Sequence, residues 1–351
     1  MHDHAKGGSA DAGSAPLILG IESSCDETAA ALVRGGRHIL SSVVHSQAEM
    51  HARHGGVIPE LAGRSHLQKI LPVMDAALAE ARVSPDEIDA VAVTTRPGLI
   101  GSLLVGLSCA KSWAWVHGKP LVPVHHIEAH IWAATMEHES PSWPCIALVV
   151  SGGHSSIYRC DSPLRFVELA RTKDDAAGEA FDKVAHILGL SYPGGPSVSK
   201  LAAEGDPRAH DFPRHRNKDG SLGFSFSGIK TAVLYKVRGK SQGGPLPPPE
   251  EIHGRADVAA SFEQAVCDVL VEQTLEAARR EALDTVLVAG GVACNRRLRE
   301  LMAREAARVG VRALFPSPAY CTDNAAMIAG HGAPLLLAGR VAGLGLDAQA
   351  C

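Results

Sequence analysis

Twice along this 351-residue chain an apolar strand runs into a short polar turn and comes straight back. Leu17–Ile21 leads through Glu22-Ser-Ser-Cys-Asp-Glu27 to Thr28–Val33, and Cys145–Val150 leads through Ser151-Gly-Gly-His154 to Ser155–Tyr158. Short, unbroken apolar runs bounded by turn residues are the pattern of strands buried on both faces. Two such hairpins, each followed by further strand and helix signals, predict an α/β protein built from two halves. The halves share a plan without visible sequence repetition, as an old internal duplication would.

The remaining pattern fills in that plan. A helix is expected around His66–Arg82, a strand at Ala90–Thr94, a Gly-rich link at Arg96–Gly101 and a helix over Leu103–Trp115. A short strand follows at Leu121–Val124. Late in the chain, Thr285–Ala289, Gly290–Asn295 and Arg296–Arg308 read as strand, glycine turn and helix. The expected division is a flexible leader over 1–16, a first lobe over 17–125, a second lobe over 126–335 and a tail over 336–351. Within the second lobe, 239–254 reads as a Pro/Gly-rich linker or insertion, and the tail could be helical and pack back.

Bulk properties narrow the classes. Hydrophobic content of 46% with only 4% aromatic suits an Ala/Val/Leu/Gly-rich enzyme. No apolar run approaches the ~18 residues of a membrane span, and the first 16 residues lack the apolar or Arg-rich pattern of a targeting segment. A cytoplasmic location is expected. Eight cysteines are scattered without a C-x-x-C pair, which fits reduced thiols better than a disulfide framework. Net charge is -4, so the whole surface does not attract nucleic acid, and any RNA contact must come from local basic runs or a partner. Pro207–Lys218 and Arg296–Arg299 are such runs, although solvated surface is their commoner explanation.

His126 and His130 stand one helical turn apart in Val124-His-His-Ile-Glu-Ala-His-Ile-Trp132. Residues at i and i+4 share a helix face, so both imidazoles can aim at one point. Asp323, in Tyr320-Cys-Thr-Asp-Asn-Ala-Ala326, could complete a two-His-one-carboxylate metal site with open coordination positions. The plainer alternative makes the histidines satisfied residues of a partly buried helix and Asp323 an N-cap. A zincin-type protease is disfavoured, because Glu128 follows His126 by two residues, about 200° around the helix, and cannot serve the same metal-bound water.

Glycine pairs at Ser151-Gly-Gly153, Pro193-Gly-Gly-Pro196 and Gly290-Gly291 allow backbone N–H groups to approach an anion where a Cβ would block it. Three in one chain favour a nucleotide or phosphate cleft. Neither a P-loop nor the G-x-G-x-x-G fingerprint occurs at these turns. Asp182 opens a helix and could face that cleft. Asn295 could cap a helix or touch a ligand, and Lys230, in Phe224-Ser-Phe-Ser-Gly-Ile-Lys230, could contact phosphate or belong to a packed turn.

Taken in chain order, the motifs resemble the tRNA adenosine threonylcarbamoyltransferases of the TsaD type. They are Leu19-Gly-Ile-Glu-Ser-Ser-Cys-Asp-Glu-Thr28, Gly55–Ala62, His126-Ile-Glu-Ala-His130, Val149–His154, Gly178-Glu-Ala-Phe-Asp-Lys183, Tyr192–Pro196, Phe224–Lys230, Gly290–Asn295 and Cys321–Ala326. The resemblance runs from about Leu17 to about Gly330. It implies an actin-like, Hsp70-like (ASKHA) α/β fold of two ribonuclease-H-like lobes with a cleft between them. It also implies transfer of a threonylcarbamoyl group from threonylcarbamoyl-AMP to N6 of the adenosine 3′ of the anticodon in tRNAs reading ANN codons. By motif position, His126, His130 and Asp323 match the ligands of one divalent ion, Fe2+ or Zn2+. Val149, Val150, Ser151, Gly152, Gly153, Asp182, Gly195 and Asn295 match the contacts to the adenylate.

Candidates for handling the proton of the adenine amine are Asp26, Glu27 and His154, at the two hairpin tips. Implied partners are a TsaB-type paralogue and a TsaE-type ATPase, or a second copy of the chain, with no membrane. Arg96 stands where the family usually has Gly, and Ser102 where Ala is common. Both lie outside the inferred ligand contacts. An actin-like ATPase or sugar kinase would need no histidine pair, and a scaffold paralogue need not keep all three ligands.

Overall fold

The computed structural model describes residues 15–138, 143–239 and 246–350. Residues 1–14 of the expected 1–16 leader and residues 240–245 of the 239–254 segment lie outside the described residues. In chain order the elements are β1 (Leu17–Glu22), β2 (Glu27–Arg34), β3 (His38–Ser46), α1 (Ala48–Ala52), α2 (Pro59–Ala81), β4 (Ala90–Arg96), α3 (Ile100–His117), β5 (Leu121–His125) and α4 (His126–Met136). They continue as β6 (Cys145–Val150), β7 (Ser155–Ser162), β8 (Arg165–Arg171), α5 (Ala177–Ile187), α6 (Gly194–Ala202), α7 (Ser227–Arg238), α8 (Arg255–Glu281), β9 (Thr285–Ala289), α9 (Arg296–Arg308), β10 (Arg312–Leu314) and α10 (Ala325–Leu337).

Two five-stranded sheets carry these elements, in the orders β3-β2-β1-β4-β5 and β8-β7-β6-β9-β10. In each, the first three strands are antiparallel neighbours and the next two join in parallel. The duplication expected from the hairpins is therefore a duplication of sheet topology. Strands β1 and β6 sit at the centre of their sheets and are buried along their whole length, which is why both are continuous apolar runs.

The chain crosses between lobes at two helices. One side of α4 packs Ala129, Trp132, Ala133 and Met136 into the core of the first sheet. Its other side packs Ile127, Ile131 and Ala134 against Cys145, Ala147, Val149, Leu287 and Ala289 of the second. At the far end of the 126–335 segment, α10 lies on β1 and β2 of the first sheet. Small residues permit that approach: a Cβ at Gly20 would stand 2.6 Å from the Ala329 nitrogen, and one at Gly332 would stand 2.7 Å from the Ala92 Cβ.

Beyond α10, residues 338–350 form no helix. They do pack back. Ala342 bridges Leu121, the Gln349 N–H donates to the Thr95 carbonyl at 2.9 Å, and Leu346 and Ala348 lie against the core behind β1 and β4. Arg96 takes part, since its Nη1 donates to Gln349 Oε1 at 3.1 Å.

Among the described residues no helix is long and apolar enough to cross a membrane. The basic runs are largely occupied. Arg214 pairs with Asp268, Arg216 with Glu272 and Arg296 with Glu300, and Arg299 donates to the carbonyls of Ala293 and Pro316.

Candidate active site

Strand β5 ends at His125, whose side chain accepts the Ile127 N–H and caps α4. The helix therefore starts at His126, and its first full turn carries His130 back over the same spot. The rings lie 4.6 Å apart, edge to face. From the other end of the chain, the loop before α10 brings Asp323. Its Oδ1 is 3.0 Å from His130 Nε2 and 3.4 Å from His126 Nε2. Capping of α10 falls to Asn324, whose side chain accepts the Met327 N–H. Asp323 is thereby spared for the histidines, and the plainer reading of it as an N-cap does not hold.

The three side chains offer one ligand atom each, all within 4.8 Å of one another. Behind them stands Glu22, a residue to which the sequence reading gave no role. It is fully buried at the end of β1. Its Oε2 lies 2.9 Å from His126 Nδ1 and takes a hydrogen bond from Thr94 Oγ1 at 2.7 Å, while its Oε1 accepts the Ser24 N–H at 2.5 Å. With its Nδ1 proton directed at Glu22, the His126 ring presents Nε2 outward. That is the carboxylate–histidine arrangement that orients an imidazole toward a cation. A carboxylate closing an apolar strand was the available signal.

Burial alone would lower the pKa of His126, but Asp323 and Glu22 beside it hold it well above the usual histidine range. Burial would likewise raise Asp323, and the His126 charge holds it well below the usual carboxylate range. His130, held down by burial, has its Nδ1 sealed without a partner. Two outward Nε2 atoms, one carboxylate oxygen and a charged brace behind His126 are a donor set that fits a divalent cation.

Around this cluster the structure gathers the hairpin tips. Glu27, at the start of β2, takes a hydrogen bond from Ser46 at 3.2 Å, and burial with the charges of Asp323 and Asp26 pushes its pKa up to about 9. His154 is pushed down to about 4, first by burial and then by the charges of His126 and His130.

The glycine turns are open where the first tip is packed. A Cβ at Gly152, Gly153 or Gly195 would meet nothing within 4 Å. Gly178 and Gly194 instead mark close backbone approaches, of α5 to the Ser151–Gly152 turn and of α6 to Asp182. Asp182 Oδ1 accepts the Gly194 N–H at 2.7 Å, and burial raises its pKa. Asn295 caps α9 through the Leu298 N–H, and its amide donates to Ser199 Oγ at 3.0 Å and Glu263 Oε1 at 2.7 Å. Lys230 lies against Asp175 at 2.9 Å, as does Lys183 at 2.7 Å, so the packed-turn alternative describes it.

The model of TsaD, tRNA N6-adenosine threonylcarbamoyltransferase, matches residues 38–330. The chain belongs to this family. It is a transferase of tRNA modification, and its relatives share nearly its whole length. It is 56% identical to the tRNA N6-adenosine threonylcarbamoyltransferase of Geobacter sulfurreducens over 333 residues, covering 95% of this chain and 96% of the relative. It is 53% identical to that of Syntrophotalea carbinolica over 333 residues, 95% of each.

Among solved structures, HypF of T. kodakarensis superposes with a TM-score of 0.62 at 15% identity, covering 93% of this chain and 48% of that one. The threonylcarbamoyltransferase thus spans about half the length of HypF. Component A of the Acidaminococcus fermentans (R)-2-hydroxyglutaryl-CoA dehydratase gives 0.52 at 14% identity, over 90% of this chain and 97% of that one. Such distant likenesses carry the fold alone, which is the actin-like arrangement of two ribonuclease-H-like lobes.

Proposed function

We propose that this threonylcarbamoyltransferase moves the threonylcarbamoyl group from threonylcarbamoyl-AMP to N6 of the adenosine 3′ of the anticodon in tRNAs reading ANN codons. His126, His130 and Asp323 hold one divalent ion, Fe2+ or Zn2+. The observation that carries the reading is the convergence of these side chains, His130 and Asp323 lying 193 residues apart in sequence, in a chain whose turns at Gly152, Gly153 and Gly195 are open. Bound there, the ion supplies Lewis-acid polarisation at the acyl-phosphate end of the donor.

The chain's own groups do the rest. Backbone N–H groups at Gly152, Gly153 and Gly195 receive the phosphate, the Ser151 N–H being spent on the His154 carbonyl, and Asp182 and the Asn295 turn fix the nucleoside. An exocyclic adenine amine is a poor nucleophile, so holding it in line with the carbonyl contributes more than any single base. His154, neutral at physiological pH, accepts the amine proton on a ring nitrogen. Glu27 and Asp26 flank the opposite hairpin tip.

The reaction belongs in the cytoplasm with a TsaB-type paralogue and a TsaE-type ATPase, or with a second copy of the chain. An exposed apolar face supports docking of a partner. Leu67 and Leu71 of α2 and Leu104 and Val116 of α3 are exposed around a groove of about 700 Å³ floored by Met74 and Trp113. The test is transfer of radiolabelled threonine from preformed threonylcarbamoyl-AMP to tRNA, with and without these partners. His126→Ala and Asp323→Ala should lower transfer roughly 10²-fold to 10³-fold and lose the bound metal. Undiminished transfer by both removes the metal from the reaction.

A further inference from the structure

Glu263, on α8, holds the Asn295 side chain in place and leaves one oxygen unused. Its Oε1 takes two donors, Asn295 Nδ2 at 2.7 Å and Ser199 Oγ at 2.6 Å. Asn295 Nδ2 also reaches Ser199 Oγ at 3.0 Å, and Asn295 Oδ1 accepts the Leu298 N–H. The Asn295 amide is therefore spent on protein partners, both its donor contacts lying within this triangle. Glu263 is only 9% exposed, yet its Oε2 has no protein donor among the described residues and is not among the sealed polar atoms, so solvent reaches it. A carboxylate on a nearly buried helix face, half satisfied and half open, is a costly arrangement unless something donates to it.

Position indicates what that donor is. Ser199 lies one turn along α6 from the open Gly195, and Asn295 ends the Gly290 turn that follows β9. On the proposed reading, on which this inference rests, those two turns flank the adenylate. A nucleotide bound there donates from its adenine amine and from two ribose hydroxyls; the hydroxyls stand nearer the phosphate placed at Gly195, one helical turn from Ser199, and a carboxylate oxygen accepts a hydroxyl well.

We infer that Glu263 Oε2 accepts a hydrogen bond from a ribose hydroxyl of the donor adenylate, and that Glu263 is a specificity-determining residue for a ribonucleotide. The conservative variant separates this from a structural role. In Glu263→Gln the amide oxygen can still accept from Asn295 and Ser199, while an NH2 replaces the free acceptor.

The test is calorimetric binding of AMP, 2′-deoxy-AMP and 3′-deoxy-AMP to wild type and Glu263→Gln, with melting temperature as the control. Wild type should bind one deoxy analogue about 10-fold to 100-fold more weakly than AMP. The variant should melt like wild type, bind AMP as weakly as wild type binds that analogue, and no longer discriminate. In transfer assays its KM for threonylcarbamoyl-AMP should rise with kcat little changed. Unchanged AMP affinity in Glu263→Gln, retained discrimination, or no AMP binding to wild type would each overturn the inference. Transfer from threonylcarbamoyl-AMP by wild type alongside unaltered Glu263→Gln binding would sink this assignment while leaving the proposed reaction standing. Nucleotide binding with no transfer would do the reverse.

Discussion

The two hairpin tips occupy the same place in two sheets of the same topology, yet they are built in opposite ways. The first, Glu22–Glu27, is dense. Ser23 Oγ donates to the Ser102 carbonyl, Ser24 Oγ lies 3.2 Å from His126 Nδ1, and His66 spans Thr28 and the Cys25 carbonyl. The second, Ser151–His154, leaves space above both of its glycines. A duplicated scaffold has thus been divided between bracing side chains in one copy and exposing backbone N–H groups in the other. Topology set the positions, and turn chemistry set the roles.

The largest expected effect comes from removing the group that the first tip serves. Asp323→Ala or His130→Ala should lower transfer by several kcal/mol of charge stabilisation, roughly 10²-fold to 10³-fold, with loss of bound metal by elemental analysis. Glu22→Gln acts one layer back. Metal affinity should fall by about 10-fold to 100-fold in chelator competition, while the fold persists. Unchanged affinity would mean that the buried carboxylate serves only the fold.

Glycine substitutions sharpen the contrast between the tips. At Gly98 a Cβ would press within 2.6 Å of the Ser24 carbonyl oxygen, so Gly98→Ala should destabilise by about 1–3 kcal/mol in urea titration. Gly152→Ala meets open space. It should change stability by less than about 0.5 kcal/mol, while raising the donor KM about 10-fold by crowding the anion. Equal stability losses at both positions would erase the distinction.

Acid–base behaviour gives a smaller test, read on metal-free protein. Glu27 holds its proton in the fold up to about pH 9, whereas the unfolded chain releases it near 4.5. Between those values the native state binds more protons, so stability falls as pH rises, and above about 9 the loss is complete. Glu27→Gln should be flatter over that window in thermal melts, and parallel curves would contradict the shift. The smallest effect is chemical. Cys294 is exposed, and its hydrogen bond from Cys321 lowers its pKa to about 7, so iodoacetamide should label it first among the described cysteines, half-maximally near neutral pH.

Legibility followed how completely each element is buried. Central strands β1, β4, β6 and β9 announced themselves as unbroken apolar runs, and α9 was readable to the residue because its apolar face repeats cleanly. Strands β3 and β8 were not, since each is an outer strand mixing buried and exposed positions without strict alternation. At three residues, β10 carries no period at all. The His126–His130 pair was visible from spacing. Its meeting with Asp323 depends on α10, which is apolar all round and so gives no clue to which sheet it covers. Glu22 was hidden by its neighbours, because beside Ser23, Ser24, Asp26 and Glu27 it reads as the first residue of a polar turn.

Helix α4 is wedged between the two sheets, with Ala129 and Trp132 in the first core and Ile127 and Ile131 against the second. Both imidazoles ride on its first turn, while Asp323 leads into α10 on the first sheet. Any movement of one lobe against the other would therefore have to repack the helix that carries the histidines. The distance from their Nε2 atoms to the glycine turns is set by packing on both faces of a single helix.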